Sequence, residues 1–339
     1  MKFNYITICK ELFSNLSGKQ KDVLERRFNL NLEKVERSGF KGETLESIGK
    51  DYKVTRERIR QIERDEFSRL KEKTKKYNKV FQYFATELKK EGGLTREDFL
   101  LQKLGGKDQA SQVCFLLNLG SEFERFPETN ELHSLWTIDK KYLNLAKQTI
   151  ESFYSQLKKE AKPLLLKDLK TPMGISDLAK ISYLEISKKI GKNSDKFYGL
   201  KEWPEINPKG IKDKAYLVLK KEGQPLHFVD VAKTISATFA GNDTRSKVQT
   251  VHNELIKDTR FILVGRGMYA LKEWGYIPGH VKDVISQIIR DEGRSLSKQD
   301  ILDRVRSKRL VKENTILLNL SNKQNFFKTS KGTYEIKES

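Results

Sequence analysis

The sequence predicts a mainly α protein, with a helix-turn-helix module followed by small modules in which helices are closed by short β wings. Three observations predict it. Between Thr44 and Gln61 the apolar residues Leu45, Ile48 and Tyr52 keep helical spacing, the pattern breaks at Lys53–Val54, and it resumes from Ile59 and Ile62 into Phe67 and Leu70. From Val80 onward a weak repeat appears, in which amphipathic helices end in acidic–glycine turns and lead into aromatic-rich, strand-like segments. Finally, Lys+Arg 66 against Asp+Glu 46 leaves a net charge of +20. Such an excess favours polyanions, because each neutralised phosphate releases condensed counterions.

In chain order, Phe3–Leu16 is expected as a short helix and Gly18–Leu30 as a second, capped by Ser17. Val23, Leu24, Arg27 and Phe28 line one side of the second helix, and Asn29–Gly42 connects to the helix pair. In that pair Gly49, lacking a side chain, lets the second helix pack across the first. Thr55 stands where an N-cap belongs, its hydroxyl able to accept from free N–H groups of the next turn. Beyond it the outer face reads Arg56, Glu57, Arg60, Gln61 and Arg64, with 56, 60 and 64 recurring every four residues. Those side chains suit a DNA major groove: arginine can grip guanine O6/N7, glutamine an adenine edge, and glutamate the cytosine N4 amine. A charged, solvated helix face without nucleic acid is the plain alternative. The helix runs on into KEKTKKYNKV, a basic tail suited to phosphates or to a solvated linker.

The string VTRERIRQIE (Val54–Glu63), preceded by TLESIGKDY, resembles the part of sigma-70 family transcription initiation factors that reads the promoter −35 element, region 4.2. LFSNLSGKQKDVLERRFNL (Leu12–Leu30) resembles the helix pair before it, region 4.1. The resemblance covers about the first 75 residues. It implies double-stranded promoter DNA as partner, with Arg56, Glu57 and Gln61 at base edges and Arg58, Arg60 and Arg64 on phosphates or a partner. It also implies a contact between the region 4.1 surface and the β flap of core RNA polymerase, although the same apolar residues can simply fill a four-helix core. Nothing here resembles the helical region with which a complete sigma factor melts the −10 element. The expectation is therefore a regulator rather than a promoter-melting factor.

The turns KKEGG (89–93), KKEGQP (220–225) and RDEGRS (290–295) mark three of the repeats, with KEAKP (159–163) in the second, least regular one. The closing segments end at Trp136, Trp203, Trp274 and Tyr334. Helices closed by a strand pair predict winged helices. The third, PLHFVDVAKTISATFAG followed by TRSKVQTVHNELIKDTRFILVGRGMYAL, resembles the HARE-HTH winged-helix domain over about residues 212–275. That family occurs in chromatin-associated proteins, restriction enzymes and the δ subunit of bacterial RNA polymerase. The residues that carry the resemblance are Pro225, Leu226, His227, the helix 248–256, Arg266, Gly267, Tyr269 and Leu271. Gly265 and Gly267 allow a tight wing turn with Arg266 at its tip. Arg245, Lys247, Arg260 and Arg266 are the candidates for DNA contact in this module, against the alternative that its charges serve solubility and its surface binds protein.

The expected domains are 1–78, 79–140, 141–210, 211–277 and 278–339. Residues 1–78 are expected to fold alone on a four-helix interior, with proteolysis first near 71–78 and 207–213. The four histidines and two cysteines show no ligand spacing, and the wing tryptophans read as core more readily than as base-stacking platforms. No nucleophile motif or acidic metal cluster is visible, so no catalytic residue, metal or cofactor is expected. Neither a signal peptide nor a long apolar segment is present, which points to a cytoplasmic, nucleoid-associated protein without a membrane partner. An RNA polymerase accessory subunit and a restriction-linked sensor of modified DNA are the other functions this pattern admits.

Overall fold

The computed structural model describes residues 3–30, 42–171, 174–239 and 247–337. The expected connection Asn29–Gly42 lies largely outside the described residues, as does Arg245. The chain divides into two compact bodies, residues 1–202 and 203–339.

In the first body, helix α1 (Tyr5–Phe13) is capped by Asn4, and α2 (Gly18–Phe28) begins at a reciprocal capping box between Ser17 and Gln20. Then follow α3 (Leu45–Asp51), α4 (Arg56–Lys73), a 3-10 turn (Thr74–Tyr77) and α5 (Asn78–Lys90). Strand β1 (Leu94–Arg96), α6 (Glu97–Gly105), α7 (Ala110–Leu119), β2 (Glu124–Phe126) and β3 (Leu135–Thr137) complete the first repeat, with antiparallel strand order β1-β3-β2. The second repeat consists of α8 (Lys140–Glu160), β4 (Leu164–Leu165), a 3-10 turn (Leu166–Asp168), α9 (Asp177–Glu185), β5 (Ile190–Lys192) and β6 (Phe197–Leu200), in the order β4-β6-β5.

The second body holds α10 (Gly210–Glu222), β7 (Leu226–His227), α11 (Phe228–Thr238), α12 (Val248–Lys257), β8 (Phe261–Gly265) and β9 (Met268–Leu271), again ordered β7-β9-β8. Next come α13 (Val281–Glu292), α14 (Lys298–Lys308), α15 (Glu313–Leu320) and the pair β10 (Phe326–Lys328) and β11 (Tyr334–Ile336). Here a lone bridge from Leu296 to Tyr334 stands where the other repeats have their first strand. Among the described residues, helix, strand or bridge, helical middle, then an antiparallel pair recurs four times. The second repeat departs most, with a 3-10 turn in place of a middle helix. Its KEAKP turn nevertheless closes the helix as glycine does elsewhere: Ala161 adopts φ 50°, beside φ 66° at Gly223 and 63° at Gly293.

The structure differs from expectation at residue 78. Tyr5, Ile8, Cys9, Leu12 and Phe13 of α1, with Leu24, Leu30 and Leu70, share one core with Phe84 and Leu88 of α5, Leu100 and Leu101 of α6, and Phe115 and Leu116 of α7. The expected 1–78 body therefore does not close on itself, and most of the core it shares comes from residues beyond it. The basic tail is not a loose linker. It is helical throughout, and Lys76 Nζ (2.9 Å) and Tyr77 Oη (2.6 Å) tie it to Glu11 of α1.

The second repeat packs on the first in the same body. Ser182 Oγ on α9 donates to the Leu94 carbonyl (2.7 Å), Tyr183 Oη donates to the Gly92 carbonyl (2.8 Å), and Leu132 bridges Ser187. In the second body one core lies under α10–α12, another under α13–α15, and a smaller cluster of Ile262, Val264 and Ala270 on the β8–β9 pair.

Candidate nucleic-acid interface

Helices α3 and α4 are held by a small core of their own. Val23 of α2, Ile48 and Ile59 are fully buried, with Leu45, Tyr52, Val54 and Ile62 packed around them. The turn needs Gly49, because a Cβ there would lie 2.8 Å from the Val54 carbonyl oxygen. The Val54 amide closes the turn on the Gly49 carbonyl (2.9 Å), and Lys53 takes φ 55°. Thr55 caps α4, its Oγ1 accepting from the Arg58 amide at 3.2 Å. At the other side, Arg26 of α2 reaches Glu43 (2.5 Å) before α3 and Asp51 at its end, and these carboxylates raise its pKa further. Tyr52 Oη donates to Asp22 (2.7 Å), an acceptor that raises the phenol's pKa, while Lys19 lies 4.9 Å over the ring. The helix pair thus stands on α2 through both apolar and ionic contacts.

The outer face of the first two turns of α4 is turned to solvent. Thr55, Arg56, Glu57, Arg58, Arg60 and Arg64 are exposed and Gln61 is half-buried, so the seven sequence-predicted residues of this helix share one stretch of surface. Arg60 forks onto Glu57 with bonds of 2.8 and 2.6 Å, which holds the Glu57 carboxyl below its usual range. Arg58 donates to Gln61 Oε1 at 3.2 Å. Arg64 lies a loose 3.8 Å from Asp65, and Arg56 makes no ion pair or hydrogen bond among the described residues. Two of the three side chains assigned to base edges, Glu57 and Gln61, are therefore engaged within the helix, by exposed contacts that cost little to exchange. Arg56 is open.

Arg266 stands apart from this surface, in the second body. It is exposed at the β8–β9 turn, where Gly267 takes φ 70°. Gly265 does not have a positive φ; its role is close approach, since a Cβ there would meet the Leu310 carbonyl oxygen at 3.2 Å. Arg260 is not available as expected. Its guanidinium pairs with Asp258 (2.7 Å) and Asp213 (2.8 Å) and lies over the Tyr216 ring. Lys247 is exposed at the start of α12. Of the residues that close the repeats, Trp136 is fully buried and Trp203, Trp274 and Tyr334 are half-buried, so they serve packing.

The surface expected to meet the polymerase β flap is used inside the protein. Val23 and Leu24 are fully buried, Arg27 Nε lies 3.5 Å from Glu63, and the Phe28 ring meets Phe67 (5.4 Å) and Phe115 (5.3 Å). Sequence reasoning missed the element responsible, α7. Phe115 sits edge-on to Phe13, Phe28 and Phe67, Gln112 Nε2 donates to the Leu30 carbonyl (2.5 Å), and Gln109 Oε1 accepts from the Tyr5 amide (2.7 Å). The available signal was the composition of ASQVCFLLNL, in which Ala110, Val113, Phe115, Leu116, Leu117 and Leu119 leave only the Ser111–Cys114–Asn118 side for partial exposure, and so mark a largely buried helix. Charge gave a second signal. Residues 79–139 hold 7 Lys+Arg against 10 Asp+Glu, a net −3 within a chain of +20.

Among the described residues no group of three or more His, Cys, Asp and Glu side chains could hold a metal ion, and no helix is long and apolar enough to cross a membrane. His227 caps α11, His280 caps α13, and His252 stacks on Phe228. Burial raises the Cys9 thiol and pushes Cys114 up to about 12, leaving both protonated.

The family model for sigma-70, region 4 matches residues 12–72. That stretch takes in α2, α3 and α4 to within one residue of its end. The first body thus carries a helix-turn-helix of a DNA-binding, transcription-related class, at the place where the geometry leaves the outer face of a capped helix exposed over its first two turns.

Proposed function

We propose that the chain is a sequence-specific DNA-binding protein of transcription that reads a promoter −35-like element through α4. One observation carries the reading. The match to sigma-70, region 4 falls on a helix pair whose second member presents Arg56, Glu57, Arg58, Arg60, Gln61 and Arg64 to solvent while its opposite face is buried. In this reading Arg56, Glu57 and Gln61 touch base edges, and Arg58, Arg60 and Arg64 meet phosphates or a partner. The recurring helix–strand–helix–helix–strand–strand order, with the last strand in the middle of the sheet, supports assigning the repeats as winged helices, that of 211–277 of HARE-HTH type. The protein is a binder rather than an enzyme, and a cytoplasmic, nucleoid-associated location fits the role. A polymerase contact belongs to this reading only through residues other than the buried Val23 and Leu24.

Footprinting on genomic fragments tests it: a defined protected site supports the reading, and uniform, salt-sensitive coverage overturns it. Arg56→Ala is expected to lose about 1–3 kcal/mol on the preferred site and to relax one base position. Arg64→Ala should weaken every sequence alike and flatten the salt slope by about one unit. An Arg56→Ala variant with its site preference intact would show that another element is the reader.

A second reading, an RNA polymerase accessory subunit, is favoured by one observation. The repeats already use α7 and α9 to grip protein within this chain, so the same kind of helix can grip a partner. Co-purification of polymerase, with binding that is indifferent to DNA sequence, would select it.

A further inference from the structure

Two repeats of the second body meet at the β8–β9 turn. Gly265 lies against the Leu310 carbonyl in the α14–α15 loop, and the Ile277 amide donates to the Lys308 carbonyl at 3.2 Å. Arg309 donates to the Ile277 carbonyl (3.4 Å), and a Cβ on Gly275 would lie 3.8 Å from Lys308 Nζ. The contact fixes one cationic turn beside another. Arg266 directly follows Gly265, and Lys308 and Lys312 each lie two residues from Leu310.

The α14–α15 stretch Val305–Lys312, VRSKRLVK, holds four cations and no acid, and the turn VGRGM holds one cation and no acid. Not all of that charge is free. Arg306 pairs with Glu313 (2.8 Å) and half-buried Arg309 is spent on the joint. Arg266, Lys308 and Lys312 remain exposed, with no carboxylate partner among the described residues.

We propose that Arg266, Lys308 and Lys312 form one composite phosphate-binding ridge, built by two repeats together, that grips the backbone of double-stranded DNA without reading sequence. Three exposed cations on two adjoining segments, none with a carboxylate partner among the described residues, make this part of the surface attractive to an anion. Duplex DNA is the occupant that the rest of the chain favours, because a reading helix is tethered to the ridge on the same polypeptide. To that extent the inference rests on the function proposed above. Tethering raises the local concentration of each site for the other, so modest phosphate contacts here add to affinity at a site chosen by α4.

The test uses the full chain, with Lys308→Gln/Lys312→Gln and, separately, Arg266→Ala. All three side chains are exposed, so the variants should keep the wild-type melting curve. Binding to a fixed 30-base-pair duplex is measured between 50 and 200 mM salt. Each lost phosphate contact should flatten the salt slope by about 0.9, so the double variant should lose about tenfold less affinity over that range than wild type does. The sequence preference measured by competition should stay unchanged. Equal slopes for wild type and both variants would overturn the ridge. So would a slope change seen with single-stranded RNA or a polyglutamate chain but not with the duplex. The two proposals fail separately: a wild type without sequence preference sinks the α4 reading, while a slope that still flattens in the variants upholds the ridge.

Discussion

Gly49 shows how much one position can decide. The carbonyl of Val54 occupies the space where its side chain would be, and that carbonyl belongs to the turn that aims α4. An alanine gains up to about 1 kcal/mol of helix propensity, yet must push the backbone of the turn away, as overpacked sites do at about 1–3 kcal/mol. Gly49→Ala is therefore expected to lower the stability of the first body, by about 1–2 kcal/mol in a denaturant titration, and to weaken DNA binding more than stability alone explains. A variant that melts later than wild type would show that the turn has room. This residue was legible in the sequence, as was Thr55, because both act on neighbours within a few positions of themselves. Arg260 was not. Its charge suggested DNA, while the Asp213 and Asp258 that claim it lie 47 and two residues away, and only the folded chain brings the first of these alongside.

At the level of elements the same division holds. Helix ends were readable where a local rule governs them: Ser17 caps α2, and glycines close α10 and α13 in the left-handed region. At the end of α8 the repeat sets Ala161 in that conformation, at φ 50°. A left-handed alanine costs about 1–2 kcal/mol, part of which glycine would give back as lost chain entropy. Ala161→Gly should thus stabilise the protein by about 0.5–1 kcal/mol, read as a later midpoint in urea with an unchanged slope; a loss of stability would mean that the alanine methyl packs usefully. The α7 docking was less legible. A repeat boundary near residue 79 suggests independent modules, and the repeat pattern conceals that one helix of the first repeat is mostly apolar. Its burial follows from that composition, but which surface receives it depends on Phe13, Phe28 and Phe67, drawn from three other helices.

For the whole molecule, the consequence is that helix α4 is not carried by a small free domain. Cutting after residue 78 would remove α5–α7 and strip their cover from Leu12, Phe13, Leu24, Leu30 and Phe67, which share one core with them. Burial of large apolar side chains contributes about 1.5–3 kcal/mol each, so the loss exceeds what a domain of that size holds in reserve. A fragment of residues 1–78 is expected to show no cooperative melt, whereas residues 1–202, which keep every partner of α4 and the α9 contacts on β1, should melt cooperatively. Within 1–202, Phe115→Ala should cost about 3–5 kcal/mol, the range for a buried phenylalanine. Limited proteolysis should leave the helical stretch 71–78 intact and cut first between the two bodies, near 203–209. The same fragment separates reading from grip. Residues 1–202 retain α4 and lack the ridge of Arg266, Lys308 and Lys312, so they should choose the same DNA site as the full chain, bind it more weakly, and show a shallower salt dependence. Equal affinity and equal slope in the fragment and the full chain would assign the second body to protein partners instead, and a cooperative melt for residues 1–78 would show that α7 is dispensable to the helices it packs against.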